Sequence, residues 1–210
     1  MIHCLIFDLD GTLLDSIGGI TVALNKGFSM MGFPAVAPAT VASGVGNGDL
    51  RLLTRILPGQ PPEVLQEAIR LFRESYLQLE QFPLYPGITS VLKHYRGRKI
   101  AVATNKPAPL AEYSVEKAGI DRYIDVVAAD TGDVPLKPAP DLLFSVLQKL
   151  KMKASEAVMI GDSGVDIMAG KAAGMLTCGV TYGIGSPEAV RAAGPDYLAG
   201  SAGELIKLIP

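Results

Sequence analysis

Two cysteines and two histidines are the whole supply of soft metal ligands and imidazole groups in 210 residues. Cys4 and Cys178 lie far apart and lack metal-ligand spacing, so neither a disulfide framework nor a zinc site is expected, and both read as small core residues. His3 is expected to flank a strand and His94 to sit on a helix surface, which leaves no histidine for catalysis. An excess of one charge is also missing. With a formal net charge of -2 and no long basic run, nothing suggests a surface built to neutralise a nucleic-acid backbone. No apolar run is long enough to span a bilayer, and no signal-like segment precedes the first apolar run. A soluble, cytoplasmic protein acting on a small molecule is the expectation, with no nucleic-acid or membrane partner. Internal repeats and low-complexity tracts are absent as well.

What is present is apolar residue in quantity, 49% of the chain, enough for one large domain or a domain with an insertion. Short apolar runs recur: "IHCLIF" before Asp8, "KIAVAT" before Asn105, "VVAAD", "AVMIG" before Asp162, and "LTCGV". Uninterrupted runs of this length fit strands covered on both faces. Between them lie the helical patterns "PLAEYSVEKAGI", "PDLLFSVLQKLKM" and "GVDIMAGKAAGM", the first and third closing near a glycine suited to a helix end. The alternation predicts an α/β fold, a parallel sheet flanked by helices. From Asp15 to about Pro83 the rhythm breaks. Helical segments occur there without a convincing buried strand, and Leu65, Ile69, Phe72, Tyr76 and Leu79 recur at steps of three and four as an amphipathic face expected to pack in a core. Residues 15–83 are therefore expected to form a helical insertion, with 1–14 and 84–210 as the core.

In such sheets ligands collect at the carboxyl ends of the strands. Four predicted strands deliver polar groups there: Asp8 with Asp10, Thr104 with Asn105, Asp130 or the nearby Lys137, and Asp162 with Asp166. Asp8 and Asp10 would project to the same side, and Gly11 lets the chain turn at once. Carboxylates joined by carbonyls and water make a hard oxygen site suited to Mg²⁺, and Lys137 adds a compact cation. These parts fit phosphoryl transfer. A carboxylate approaches a phosphate dianion only when other charges neutralise the pair. One aspartate could then attack phosphorus while its neighbour handles protons. An EF-hand reading fails, because counting from Asp8 its sixth and twelfth places hold Leu13 and Gly19. "GVGNGD", Gly44 to Asp49, lacks the ending of a P-loop and reads as a loop of the insertion that could touch substrate.

The segments "DLDGTLLDS", "VATNK", "KPAPD" and "GDSGVDIMAGKAAGM", in that order and spread over nearly the whole chain, resemble the four motifs of the haloacid dehalogenase superfamily of phosphohydrolases, and within it the phosphoglycolate phosphatases. The resemblance implies a Rossmann-like core with an inserted α-helical cap. It implies Asp8 as nucleophile and Asp10 as general acid and base. Mg²⁺ would be held by Asp8, the Asp10 carbonyl and Asp162, with Asp166 in support. Thr104 and Asn105 would hold phosphoryl oxygens, Lys137 would balance charge, and the backbone after Asp8, including Gly11, would cradle the phosphoryl group. Ser163 is expected to cap the following helix. Asp10 favours phosphate esters, since the dehalogenase and phosphonoacetaldehyde hydrolase branches lack it. Gly161-Asp162 stands where the phosphosugar mutases usually show Glu-Asp. Pyrophosphatases and sugar-phosphate phosphatases share all four motifs and stay open. So does a phosphate-binding regulatory module without turnover, although such a module need not keep both Asp8 and Asp10. Asn47, Arg51 and Arg55 are the insertion's candidates for the non-phosphate end of a substrate, with Arg51 suited to a carboxylate.

Overall fold

The computed structural model describes residues 1–210. Six strands, β1 (Cys4–Phe7), β2 (Lys99–Pro107), β3 (Val126–Asp130), β4 (Ala157–Gly161), β5 (Leu176–Val180) and β6 (Tyr197–Ala199), form one sheet in the order β3-β2-β1-β4-β5-β6. Every neighbouring pair is parallel, with Cys4 of β1 opposite both Lys99 and Ala157. Nine helices occupy the connections, α1 (Ile17–Met30), α2 (Pro38–Ala42), α3 (Asp49–Ile56), α4 (Pro62–Tyr76), α5 (Ile88–His94), α6 (Ala108–Lys117), α7 (Asp141–Leu150), α8 (Gly164–Ala172) and α9 (Pro187–Ala192), and α10 (Ala202–Leu208) follows β6. No helix is long and apolar enough to cross a membrane.

Burial on both sheet faces explains why β1 is apolar without alternation. Leu5 and Phe7 enter the larger core with residues of α5, α6 and α10. Cys4 and Ile6 enter the smaller core with Leu142, Val146 and Ala169 of α7 and α8. Both cysteines are buried and free, as expected of small core residues. The five expected strands are present. β6, three residues long, was not anticipated, because so short a run carries no apolar signature.

Between β1 and β2 the chain is helical, α1 to α5. Gly27 lets α1 lie against α4, since a Cβ there would stand 3.2 Å from both Leu71 Cβ and the Phe72 nitrogen. The buried face of α4 is Ala68, Leu71, Phe72, Ser75 and Tyr76, turned slightly from the expected stripe. Leu65 and Ile69 fall at its half-buried edge and Leu79 lies beyond the helix end. The segments leading out of and back into the sheet run side by side. Asp15 N–H donates to the Pro83 carbonyl at 2.9 Å and Tyr85 N–H to the Leu13 carbonyl at 3.0 Å. Leu14 and Leu84 form an antiparallel bridge.

Strand order reverses beside β1: the chain builds outward through β2 and β3, then crosses back to β4 on the other side. A crevice at the carboxyl ends follows from that reversal.

Candidate active site

At the end of β1, Asp8 remains in the ladder, its N–H donating to the Ile160 carbonyl at 2.8 Å. The next turn needs glycine. Gly11 has φ +89°, and a Cβ on it would collide with the Asp162 carboxylate, so the end of β1 and the residue after β4 meet at a point with no room for a side chain. Thr12 Oγ1 reaches Asp162 Oδ1 at 3.4 Å from the same turn. Asp162 Oδ2 accepts the Ile184 and Gly185 N–H groups, each at 2.8 Å.

Asp8, Asp162 and Asp166 are all buried, and each offers a carboxylate oxygen within 4.8 Å of the others. Lys137, only 4% exposed, faces this group. Its Nζ donates to Asp8 Oδ1 at 2.8 Å, Asp166 Oδ1 at 2.6 Å and the Ala103 carbonyl at 2.6 Å. Burial, with the Asp166 and Asp162 charges behind it, pushes Asp8 above the usual carboxylate range despite Lys137. Burial and Asp166 raise Asp162 in the same way, against the two backbone hydrogen bonds. On Lys137 burial disfavours the charge, but Asp166 and Asp8 outweigh it and hold the ammonium protonated. Three carboxylates against one ammonium leave a buried excess of negative charge and hard oxygen donors, a set that fits a divalent cation. Asp166 Oδ2 meanwhile accepts from Ser163 N–H at 3.1 Å and Ser163 Oγ at 2.6 Å, so Ser163 ties down the start of α8, as anticipated.

The end of β2 is irregular, with a register shift between Ala103 and Pro107. A break of this kind re-aims side chains, and it puts Thr104, Asn105 and Lys106 all in buried positions. Thr104 Oγ1 accepts the Lys106 N–H at 3.2 Å, which leaves its own hydroxyl hydrogen free to donate. Asn105 is a clamp. Its Oδ1 accepts Lys137 N–H at 2.8 Å, and its Nδ2 donates to the carbonyls of Lys137 at 2.9 Å and Gly46 at 3.0 Å. Its side-chain amide is therefore engaged with main chain.

Lys106, inside the "VATNK" segment, was not anticipated at the site, yet it lines the narrower of the two cavities there. Its Nζ spans both Asp10 carboxylate oxygens, at 2.9 and 2.7 Å, and lies 4.5 Å from the centre of the Tyr76 ring on α4. Burial works against the charge, but Asp10 beside it keeps Lys106 firmly protonated. Tyr76 in turn shares a 2.9 Å hydrogen bond with Ser114.

Two cavities meet at Asp8 and Asp10. The wider, about 400 Å³, is lined by Lys137, Asp162, Asp166 and Ser163. The narrower, about 40 Å³, is lined by Thr104, Asn105 and Lys106 together with Leu52 and Phe72 from the helical insertion. The 44–49 loop also contributes, through Gly46, Gly48 and Asp49. Arg51, Arg55 and Asn47 are exposed and line neither cavity. Of the pair Asp130 and Lys137, only Lys137 reaches the site. The Asp130 carboxylate instead accepts the Gly132 N–H at 2.8 Å.

Residues 5–180 match the model of the haloacid dehalogenase-like hydrolases. The phosphoglycolate phosphatase of Vibrio cholerae is 36% identical over 220 residues, covering 99% of this chain and 97% of that protein. Among solved structures, a predicted phosphoglycolate phosphatase from Haemophilus somnus superposes with a TM-score of 0.89 over 98% of this chain and 97% of its own, at 24% identity. CbbY from Rhodobacter sphaeroides, solved in complex with phosphate, gives a TM-score of 0.83 at 27% identity over 98% and 96% of the two chains.

Proposed function

The chain belongs to the haloacid dehalogenase-like hydrolase family and is a phosphatase, and from that premise we propose that it hydrolyses 2-phosphoglycolate, with Mg²⁺, through an aspartyl-phosphate on Asp8. The observation that carries the reading is the sorting of two strand-end carboxylates onto two different buried lysines, Asp8 with Lys137 at 2.8 Å and Asp10 with Lys106 at 2.7 Å. Each carboxylate then has its own electrostatic setting, as two carboxyl groups with different tasks require. The name of the Vibrio cholerae relative supports the substrate.

In this reading Asp8 attacks phosphorus, and the bond to the ester oxygen breaks. Asp10 in its acid form gives that oxygen a proton, and then, as a carboxylate, takes one from the water that attacks the phosphoenzyme. Lys137 holds Asp8 oriented and spreads the charge of the approaching phosphoryl group, and the free Thr104 hydroxyl hydrogen donates to a phosphoryl oxygen. Asn105 acts as a positioning residue, fixing the loop that carries Lys137. Asp8, Asp162 and the Asp10 carbonyl, with Asp166 in support, would hold Mg²⁺. When bound, the ion offsets the repulsion between carboxylate and phosphate. Residues 15–83 serve as a cap on the core of 1–14 and 84–210, excluding water when closed. Its Leu52 and Phe72 already wall the narrower cavity.

Phosphate release from 2-phosphoglycolate, pyrophosphate, several sugar phosphates and an aryl phosphate, each with Mg²⁺ and with a chelator, tests the proposal. A dominant Mg²⁺-dependent rate on 2-phosphoglycolate is expected. A higher rate on a sugar phosphate or pyrophosphate refutes the substrate, and activity unaffected by chelation refutes the role of the ion.

A further inference from the structure

Lys106 is a buried ammonium, and such a charge needs a counter-charge close by, because leaving it unpaired is strongly unfavourable. Asp10 supplies that charge through both oxygens. The other carboxylates nearby already have partners: Asp8 is held by Lys137 at 2.8 Å and Asp49 by Arg73 at 2.6 Å. Lys106 is also the one cation among the residues lining the narrower cavity. Resting on the phosphatase reading above, we propose that Lys106 is the specificity-determining residue that receives a carboxylate on the carbon next to the ester oxygen.

The dimensions agree. In a phosphorylated two-carbon acid the carboxylate carbon lies roughly 2.5 Å, two covalent bonds, from the ester oxygen. Asp10 must hydrogen-bond that oxygen, and Lys106 Nζ stands 2.7 Å from Asp10, so the lysine is within reach of a carboxylate so placed. The cavity, about 40 Å³, admits about three water-sized groups at roughly 10–15 Å³ each, which suits the three non-hydrogen atoms of a carboxylate. Leu52, Phe72 and Leu110 supply an apolar wall, against which a charge-to-charge hydrogen bond discriminates strongly. Tyr76 braces the ammonium from the cap side at 4.5 Å from its ring centre.

The test compares 2-phosphoglycolate with ethyl phosphate, the same ester with methyl in place of carboxylate, in the Mg²⁺-loaded wild type, Lys106→Gln and Lys106→Arg. Wild type is expected to prefer 2-phosphoglycolate by roughly 10- to 100-fold in kcat/KM, the scale of one hydrogen bond to a charged group. Lys106→Gln is expected to reduce that ratio to near one, and Lys106→Arg to recover part of it. If Lys106→Gln slows both esters by the same factor, the lysine serves Asp10 alone and the inference is overturned. A wild type that turns over both esters equally also overturns it while leaving the phosphatase reading intact, whereas turnover of neither removes that reading and the inference with it. Should Lys106→Gln fail to fold, Asp10→Asn keeps the lysine and strips its resident charge. Calorimetry with Mg²⁺ present should then show 2-phosphoglycolate binding at least tenfold more tightly than ethyl phosphate, and equal affinities would overturn the inference.

Discussion

Replacing Lys137 by methionine removes the one cation facing three buried carboxylates, and the consequence depends on pH in a direction the structure dictates. The variant loses hydrogen bonds of 2.8 Å to Asp8, 2.6 Å to Asp166 and 2.6 Å to the Ala103 carbonyl. Breaking a buried ion pair from one side costs about 3–5 kcal/mol if the remaining charges stay ionised. The carboxylates can escape part of that cost by keeping a proton. Asp8 is already raised to about 7 in the wild type, where Lys137 opposes the rise, so the variant's Asp8 must titrate higher still. The sign follows from proton counting. Below pH 7 both native states hold the Asp8 proton, and the variant's deficit reflects mainly the three lost hydrogen bonds, about 3 kcal/mol together at roughly 1 kcal/mol each. Above pH 7 the wild-type native state releases that proton while the variant retains it, so the variant's unfolding free energy falls faster by up to about 1.4 kcal/mol per pH unit. Urea unfolding with chelator present, at pH 5.5 and 8.5, measures both deficits. A deficit that is equal at the two pH values, or smaller at 8.5, would refute the account of Lys137 as the cluster's counter-charge.

Asp8→Asn should lower turnover by about 10⁴-fold or more while the far-ultraviolet dichroism and melting transition persist, and a folded variant with undiminished rate would remove Asp8 as nucleophile. Gly11→Ala should destabilise by about 2 kcal/mol, combining a left-handed φ of +89° with displacement of the Asp162 carboxylate, and should weaken Mg²⁺ binding measured by calorimetry. For the metal-free wild type, Asp8 raised to about 7 and Asp162 to about 6 bind more protons folded than unfolded, so their contribution to stability declines as pH rises from about 4 to 7. Saturating Mg²⁺ should accordingly raise the melting temperature more at pH 8 than at pH 5; an equal rise at both would refute the cluster as the ion's site.

The parallel core was legible because strands buried on both faces are written largely in apolar residues, as β1, the first half of β2, β3, β4 and β5 are. The acidic cluster was legible for a related reason, since Asp8 and Asp162 interrupt such runs where a sheet has its open end. β6 escaped because three residues carry no period. Lys106 escaped because a lysine next to a strand is ordinarily solvated, and only the irregular end of β2 turns it inward onto Asp10. The one available signal was a lysine placed directly after two buried polar residues. Arg51 stands outside both cavities for the converse reason. Its position in α3 beside a glycine-rich loop suggested a substrate contact, but the amphipathic face of that helix buries Leu52 and Leu53 and leaves Arg51 outward. Sequence spacing tells which residues share a face, and the direction of that face is set by what the helix packs against.

The central position of β1 has a consequence for how this protein comes into being. The first strand synthesised is flanked by two partners that arrive much later, β2 beginning at Lys99 and β4 at Ala157. A nascent chain therefore carries Asp8 and Asp10 through most of its synthesis on a strand with no finished sheet to join. Asp162, whose carboxylate packs against Gly11, leaves the ribosome only after three-quarters of the molecule. Contacts so distant along the chain form late and slowly. A chain cut short before β4 consequently has the first pair of aspartates but lacks Asp162 and Asp166, and with them the acidic cluster.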